Sequence, residues 1–247
     1  MGKGATDTYS YLDENVAACR ASVAETCRAS GRAPEDVLLV AAIKSADTQE
    51  INYIHRELGV SDVGENRVQQ LLERYDALDR AGMRIHFIGT LQTNKVKYII
   101  DKVDMIQSLD SERLAREIQK QASKVGRGMD VLVEINAGEE LAKSGVMPAD
   151  AEALAVLISG EEYPNLRLCG FMTMAPRCET DGEYRAYFAD TRRLCEHIWH
   201  DVLERRDRMV LSMGMSESYL PAVSEGATMV RVGRGLFKKP DAASATM

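Results

Sequence analysis

Short apolar runs alternate with amphipathic stretches along almost the whole 247-residue chain. Eight runs have strand length: residues 37–43, 61–64, 84–89, 105–109, 130–136, 167–174, 209–213 and 229–233. Several, such as Leu38-Leu39-Val40-Ala41-Ala42-Ile43, are nearly continuous apolar sequences, as parallel strands buried on both faces should be. The intervals carry the helical period instead. Ile51, Ile54 and Leu58 fall at i, i+3 and i+7 behind Asp47 and Glu50, residues suited to a helix cap and an acidic first turn. Val68, Leu71, Leu72, Tyr75 and Leu78 make a second stripe, and Leu114, Ile118 and Ala122 a third behind a Ser111 cap. Leu154, Ala155 and Ile158 continue the series, followed by Tyr184, Phe188, Thr191 and Cys195. A further helix over 9–30, ended by Gly31 and Pro34, precedes the first strand. This alternation predicts an α/β fold, a single-domain (β/α)8 TIM barrel with an extra N-terminal helix. A doubly wound open sheet permits the same order of elements. No proline-rich linker divides the chain, so one domain over 1–247 is expected, ordered from about 9 to 237, with a disordered tail from Lys238.

Charge narrows the partners. Lys and Arg number 31 against 38 Asp and Glu, a net charge of −7, which argues against nucleic acid and anionic membranes as nonspecific partners. No run approaches the ~18 apolar residues of a membrane span. The N-terminus lacks the apolar core of a secretory signal. Gly2 and Thr6 fit a loose acylation pattern, which a polar tail explains equally well. Cys19, Cys27, Cys169, Cys178 and Cys195 are scattered and form no C-x-x-C pair, so neither a disulfide framework nor a zinc site is expected. His55, His86, His197 and His200 show no ligand spacing beyond His197 and His200 on one helix. The expectation is a reduced, cytoplasmic protein without a metal.

Barrels of this class keep their chemistry at the C-terminal strand ends, often with phosphate held after strands 7 and 8. Lys44 ends the first apolar run; it is either a lysine emerging into solvent or a partly desolvated amine able to form a Schiff base with an aldehyde. Ser212-Met213-Gly214-Met215-Ser216 and Gly233-Arg234-Gly235 follow strands 7 and 8. Such loops can bind phosphate through aligned N–H groups, although glycines after strands also serve turns alone. Arg231 lies inside strand 8, suited to pair with a barrel carboxylate or donate to a cofactor ring nitrogen. His86 reads better as a supporting hydrogen-bond partner than as a catalytic base.

These segments resemble a known family. Val40-Ala41-Ala42-Ile43-Lys44, Gly64-Glu65-Asn66-Arg67-Val68-Gln69, the run from His86 to Lys95, Gly170-Phe171-Met172-Thr173-Met174, Leu211-Ser212-Met213-Gly214-Met215-Ser216 and Val230-Arg231-Val232-Gly233 occur in order. They look like the YggS/PROSC pyridoxal phosphate homeostasis proteins, which share the alanine racemase barrel. The resemblance implies pyridoxal 5′-phosphate (PLP) held as an internal aldimine on Lys44. It implies phosphate contacts from Ser212 and the backbone of Met213, Gly214, Gly233 and Arg234. It further implies Arg231 at the pyridine nitrogen, and Asn66, His86 and Met172 lining the pocket. Such proteins buffer or deliver the cofactor without demonstrated turnover, so no catalytic residue is assigned. A monomer with apo PLP-dependent enzymes as recipients is expected. Two departures stand out: Arg234 replaces a small residue, and Phe237-Lys238-Lys239-Pro240 replaces a Phe-Gly ending.

Two other functions fit the same barrel, a PLP-dependent amino-acid racemase and a binder of another phosphorylated metabolite. Racemisation needs acid–base groups on both cofactor faces. The resemblance places the second base of alanine racemase on a C-terminal domain and a dimer partner, for which the sequence after strand 8 leaves about ten residues. Cofactor-dependent absorbance separates the third possibility.

Overall fold

Eight strands, β1 (Leu38–Ala42), β2 (Asp62–Glu65), β3 (Arg84–Phe87), β4 (Met105–Leu109), β5 (Met129–Ile135), β6 (Leu166–Thr173), β7 (Val210–Ser212) and β8 (Met229–Val232), pair in chain order in a computed structural model. The structure describes residues 8–138 and 144–240. Each neighbouring pair is parallel, and β8 returns to β1 with Leu38 opposite Met229 and Val40 opposite Arg231. The sheet is therefore a closed barrel, which excludes the doubly wound alternative. All eight strands fall within two residues of the apolar runs that predict them.

Nine helices occur among the described residues: α1 (Ser10–Ala29), α2 (Thr48–Arg56), α3 (Val68–Arg74), α4 (Val96–Ile99), α5 (Glu112–Lys124), α6 (Pro148–Ile158), α7 (Asp181–His197), α8 (Tyr219–Ser224) and α9 (Arg234–Phe237). Their starts follow local chemistry. Asp47 accepts from the Glu50 N–H while Glu50 reaches back to the Asp47 N–H, a reciprocal cap on α2. Ser111 caps α5 through the Leu114 N–H, and Thr180 caps α7 through Glu183.

The main core fills the space between barrel and helices, with Ile51, Ile54, Leu71, Ile118, Phe188 and Trp199 fully enclosed. Burying each such side chain contributes roughly 1.5–3 kcal/mol. A second cluster, Val40, Met105, Leu132, Met172 and Met229, occupies the barrel interior. The α1 helix adds Leu12, Val16, Cys19, Val23 and Cys27 at helical spacing, and the Arg32 guanidinium ties its end to the Val223 and Ala227 carbonyls.

The expected disorder from Lys238 is corrected at its start. The Asn15 side chain donates to the Leu236 and Lys238 carbonyls, and Lys239 Nζ lies 3.1 Å from the buried Glu50 carboxylate. Residues 241–247, and the Gly2 and Thr6 acylation pattern, lie outside the described residues. Among the described residues no helix is long and apolar enough to cross a membrane, and no cluster of metal-ligating side chains occurs.

Candidate functional site

The chain leaves β1 at Ala42 and turns at Lys44, so the amine stands at the C-terminal rim of the barrel. There it lines a cavity of about 180 Å³ together with Tyr184, Ser216, Arg231, Gly233 and Arg234. Larger cavities lie elsewhere, one of about 420 Å³ beside α1 on the opposite face and one of about 490 Å³ around Asn66. Neither contains Lys44 or Arg231. The smaller cavity therefore joins an amine, a buried cation and both glycine loops.

The two loops are bonded to each other. The Gly233 N–H donates to Ser216 Oγ at 3.2 Å, the Arg231 N–H to the Gly214 carbonyl at 3.1 Å, and the Met215 N–H to Ser218 Oγ at 3.2 Å. Gly214 adopts φ +91°, and a Cβ there would meet Ala222 Cβ at 2.6 Å and Tyr219 Cα at 2.8 Å. At Gly233 a Cβ would approach the Ala42 carbonyl to 2.9 Å. Glycine at 214 lets the loop turn close against α8, and glycine at 233, which lines the cavity, lets backbone pass close to Ala42.

Some of the groups expected to contact phosphate are already hydrogen-bonded within the protein. The Met213 N–H is used by the Met229 carbonyl and the Gly233 N–H by Ser216. The amides of Gly214, Ser216, Arg234 and Gly235 have no partner among the described residues. Ser212 is fully buried, its hydroxyl donating to Gln107 Oε1 and accepting from Arg231, both at 2.7 Å. It is thus directed into the barrel interior, not toward the loop amides. The Arg234 guanidinium is 73% exposed and pairs with Glu217 at 2.7 Å, leaving its backbone as the part that faces the cavity chemistry.

Three expected lining residues are not among those that border the Lys44 cavity. Asn66 borders the separate cavity with Arg67, Gln69 and Lys95. Met172 belongs to the interior apolar cluster. His86 is fully buried between Asp62 and Gln107, in the supporting position its own sequence context suggests. Lys44 is exposed rather than desolvated.

Arg231 is only 3% exposed, and desolvation pulls its guanidinium down to about 10 against the raising effect of Glu134. It remains cationic at neutral pH. Nη1 donates to the Ser212 carbonyl and hydroxyl, and Nη2 to the Thr173 carbonyl. Guanidinium has five donors, so two remain for a ligand.

Glu134 and Gln107 were not picked out from the sequence, although each is a polar residue inside an apolar strand, the signal that marks Lys44 and Arg231. Desolvation pushes the Glu134 carboxyl up to about 7, with Asp110 adding to the rise while a Ser144 hydrogen bond and Arg231 oppose it. A carboxyl raised by folding makes the folded state the tighter proton binder between about 4.5 and about 7. The stability from that proton is present below this window and is lost as pH rises through it, by about 3 kcal/mol at most. Glu134→Gln is expected to melt about 5 °C higher than wild type at pH 8 and to show no advantage near pH 4.5. Thermal denaturation at both pH values checks this; parallel pH profiles for the two proteins would contradict it.

Comparison with known proteins places the chain. The alanine racemase N-terminal domain family matches residues 16–240. A pyridoxal phosphate homeostasis protein of Aquifex aeolicus is 40% identical over 218 residues, covering 87% of this chain and 92% of that one. PipY of Synechococcus elongatus, whose structure was determined with PLP bound, superposes with a TM-score of 0.72 at 30% identity, covering 87% of this chain and 99% of PipY. An unknown protein from Bifidobacterium adolescentis superposes with a TM-score of 0.85 at 32% identity, covering 92% and 95% of the two chains. The barrel, the ordered motifs and these relatives agree: the chain belongs to the pyridoxal phosphate homeostasis protein family, built on the alanine racemase N-terminal domain.

Proposed function

We propose that this protein binds PLP in the Lys44–Arg231 cavity and serves its homeostasis, retaining and releasing the cofactor. The observation that carries this reading is the meeting of an exposed amine, a buried guanidinium and two linked glycine loops in one cavity. The residues fit the group. Lys44 offers an amine to an aldehyde, Arg231 offers donors to a ring nitrogen, and the Gly214, Ser216, Arg234 and Gly235 amides offer a concave surface to a phosphate. Bound PLP supplies an electron-accepting ring for amino-acid chemistry. Arg231 limits that use, because a guanidinium donates and cannot accept a proton at neutral pH. A ring nitrogen facing it stays unprotonated, which favours retention over turnover. Exposure of Lys44 gives water and incoming amines access, as reversible release requires. We extend the reading to a cytoplasmic monomer that supplies apo PLP-dependent enzymes.

Phosphate contacts dominate affinity in this arrangement. A dianion met by several N–H groups gains charge-assisted bonds of roughly 1.5–3 kcal/mol each. PLP is therefore expected to bind far more tightly than pyridoxal when each is titrated into apo protein. The exposed Arg234–Glu217 pair contributes only ~0–1 kcal/mol, so Arg234→Ala should change PLP affinity less than about fivefold. Equal affinities for PLP and pyridoxal would remove the phosphate-binding loops from the proposal.

A further inference from the structure

Beneath the cavity a hydrogen-bonded chain crosses the barrel interior. Arg231 Nη1 donates to Ser212 Oγ at 2.7 Å, and Ser212 Oγ donates to Gln107 Oε1 at 2.7 Å. Gln107 Nε2 lies 3.0 Å from His86 Nδ1, and His86 Nε2 lies 2.8 Å from Asp62 Oδ1. All five residues are buried, with Gln107, His86 and Ser212 fully enclosed. The members come from β8, β7, β4, β3 and β2, so the link from Ser212 to Gln107 joins strands that are not neighbours in the sheet.

The bonds have a fixed direction. A carboxylate only accepts, so His86 donates to Asp62 through a protonated Nε2. The Gln107 amide nitrogen that faces Nδ1 can only donate, so Nδ1 carries the lone pair and accepts. That turns the Gln107 carbonyl toward Ser212, where it accepts a hydrogen bond from the hydroxyl, leaving the Ser212 oxygen to accept from Arg231. A cation thus stands at one end and an anion at the other, and each bond sets the next. Such an arrangement among Val40, Met105, Leu132 and Met229 costs more desolvation than apolar packing of equal volume.

We propose that Asp62, His86 and Gln107 are positioning residues that orient Arg231 through Ser212 and thereby hold its free donors toward the bound cofactor. This rests on the PLP reading. Hydrogen bonds in a chain polarise one another. An acceptor newly bound by Arg231 weakens the guanidinium as a donor to Ser212, and the weakening passes through Gln107 to His86. A group that merely filled the interior would register nothing.

The test uses the full chain labelled with nitrogen-15 at the histidine rings. In the free protein His86 should show a protonated Nε2 and an accepting Nδ1. Addition of PLP should move the Nδ1 signal toward that of an unbonded ring nitrogen, while His55, His197 and His200 stay in place. Gln107→Leu, which cuts the chain between Ser212 and His86, should abolish the movement. Borohydride reduction and mass measurement on the same samples report cofactor uptake. Wild-type protein that gains the pyridoxyl mass with an unmoved His86 overturns the proposal, as does an equal shift in Gln107→Leu. Wild-type protein that gains no mass refutes the PLP reading itself, and the proposal with it. The wild-type arm decides even where Gln107→Leu fails to fold.

Discussion

Lys44→Ala is expected to lower the affinity for PLP by at least about 100-fold, equivalent to roughly 2.7 kcal/mol. The cavity contains one lysine, and its amine has no ion-pair or hydrogen-bond partner among the described residues. Nothing in the barrel therefore restrains it from meeting an aldehyde. Arg234, the other cation at the rim, is held by Glu217 and cannot form a carbon–nitrogen double bond with a carbonyl in the same way. Lys44→Arg separates charge from covalency: it keeps the positive charge, yet should lose cofactor retention almost as fully as alanine. Gel filtration of the loaded proteins, followed by absorbance of the protein fraction, measures the retained cofactor. Retention by Lys44→Ala equal to wild type would place the covalent anchor elsewhere.

The second large effect falls on stability. Arg231→Leu is expected to cost about 3–5 kcal/mol, because it leaves buried acceptors without their donor. The Thr173 carbonyl and the Ser212 carbonyl and hydroxyl all accept from that one guanidinium. For a chain of this length such a loss lowers the melting temperature by roughly 10 °C or more. Arg231→Lys should recover little, since an ammonium on a flexible stem cannot span Thr173 and Ser212 together. Differential scanning calorimetry of the apo proteins measures the change directly. A melting temperature within a degree or two of wild type would show that the bonds around Arg231 hold little of the barrel together.

The strand series was legible because each strand lies within two residues of a strand-length run, whereas closure of β8 on β1 was not, since an open sheet permits the same order of elements. The caps at Asp47 and Ser111 were equally readable, since a cap is a contact over three residues. The cavity was legible in outline for a different reason. Strand ends in a parallel barrel share one face, so Lys44, the Gly214 loop and the Gly233 loop had to converge. What the sequence did not disclose is how the bonds are shared inside that face. Ser212 and Gln107 are 105 residues apart, and no local pattern pairs β7 with β4. Arg234 read as a phosphate ligand because it stands beside two glycines, but α9 carries its side chain outward to Glu217. Asn66 follows β2 and borders another cavity, whereas Met172 pairs with Ser212 and lies in the barrel interior on the same inward face.

The burial of Glu134 beside Arg231 illustrates the same limit. A lone acid in Val-Leu-Val-Glu-Ile-Asn is visible in the sequence, whereas its raised affinity for a proton comes from burial in the folded barrel, with Asp110 adding to it and Ser144 opposing it from two other segments.

The central claim is covalent capture of PLP at one residue, and peptide mapping after borohydride reduction tests it most directly. Purified protein incubated with PLP, reduced and digested should carry a single pyridoxyl group on the peptide containing Lys44. A pyridoxyl group on Lys95, in the neighbouring Asn66 cavity, or no modified peptide at all, would contradict it.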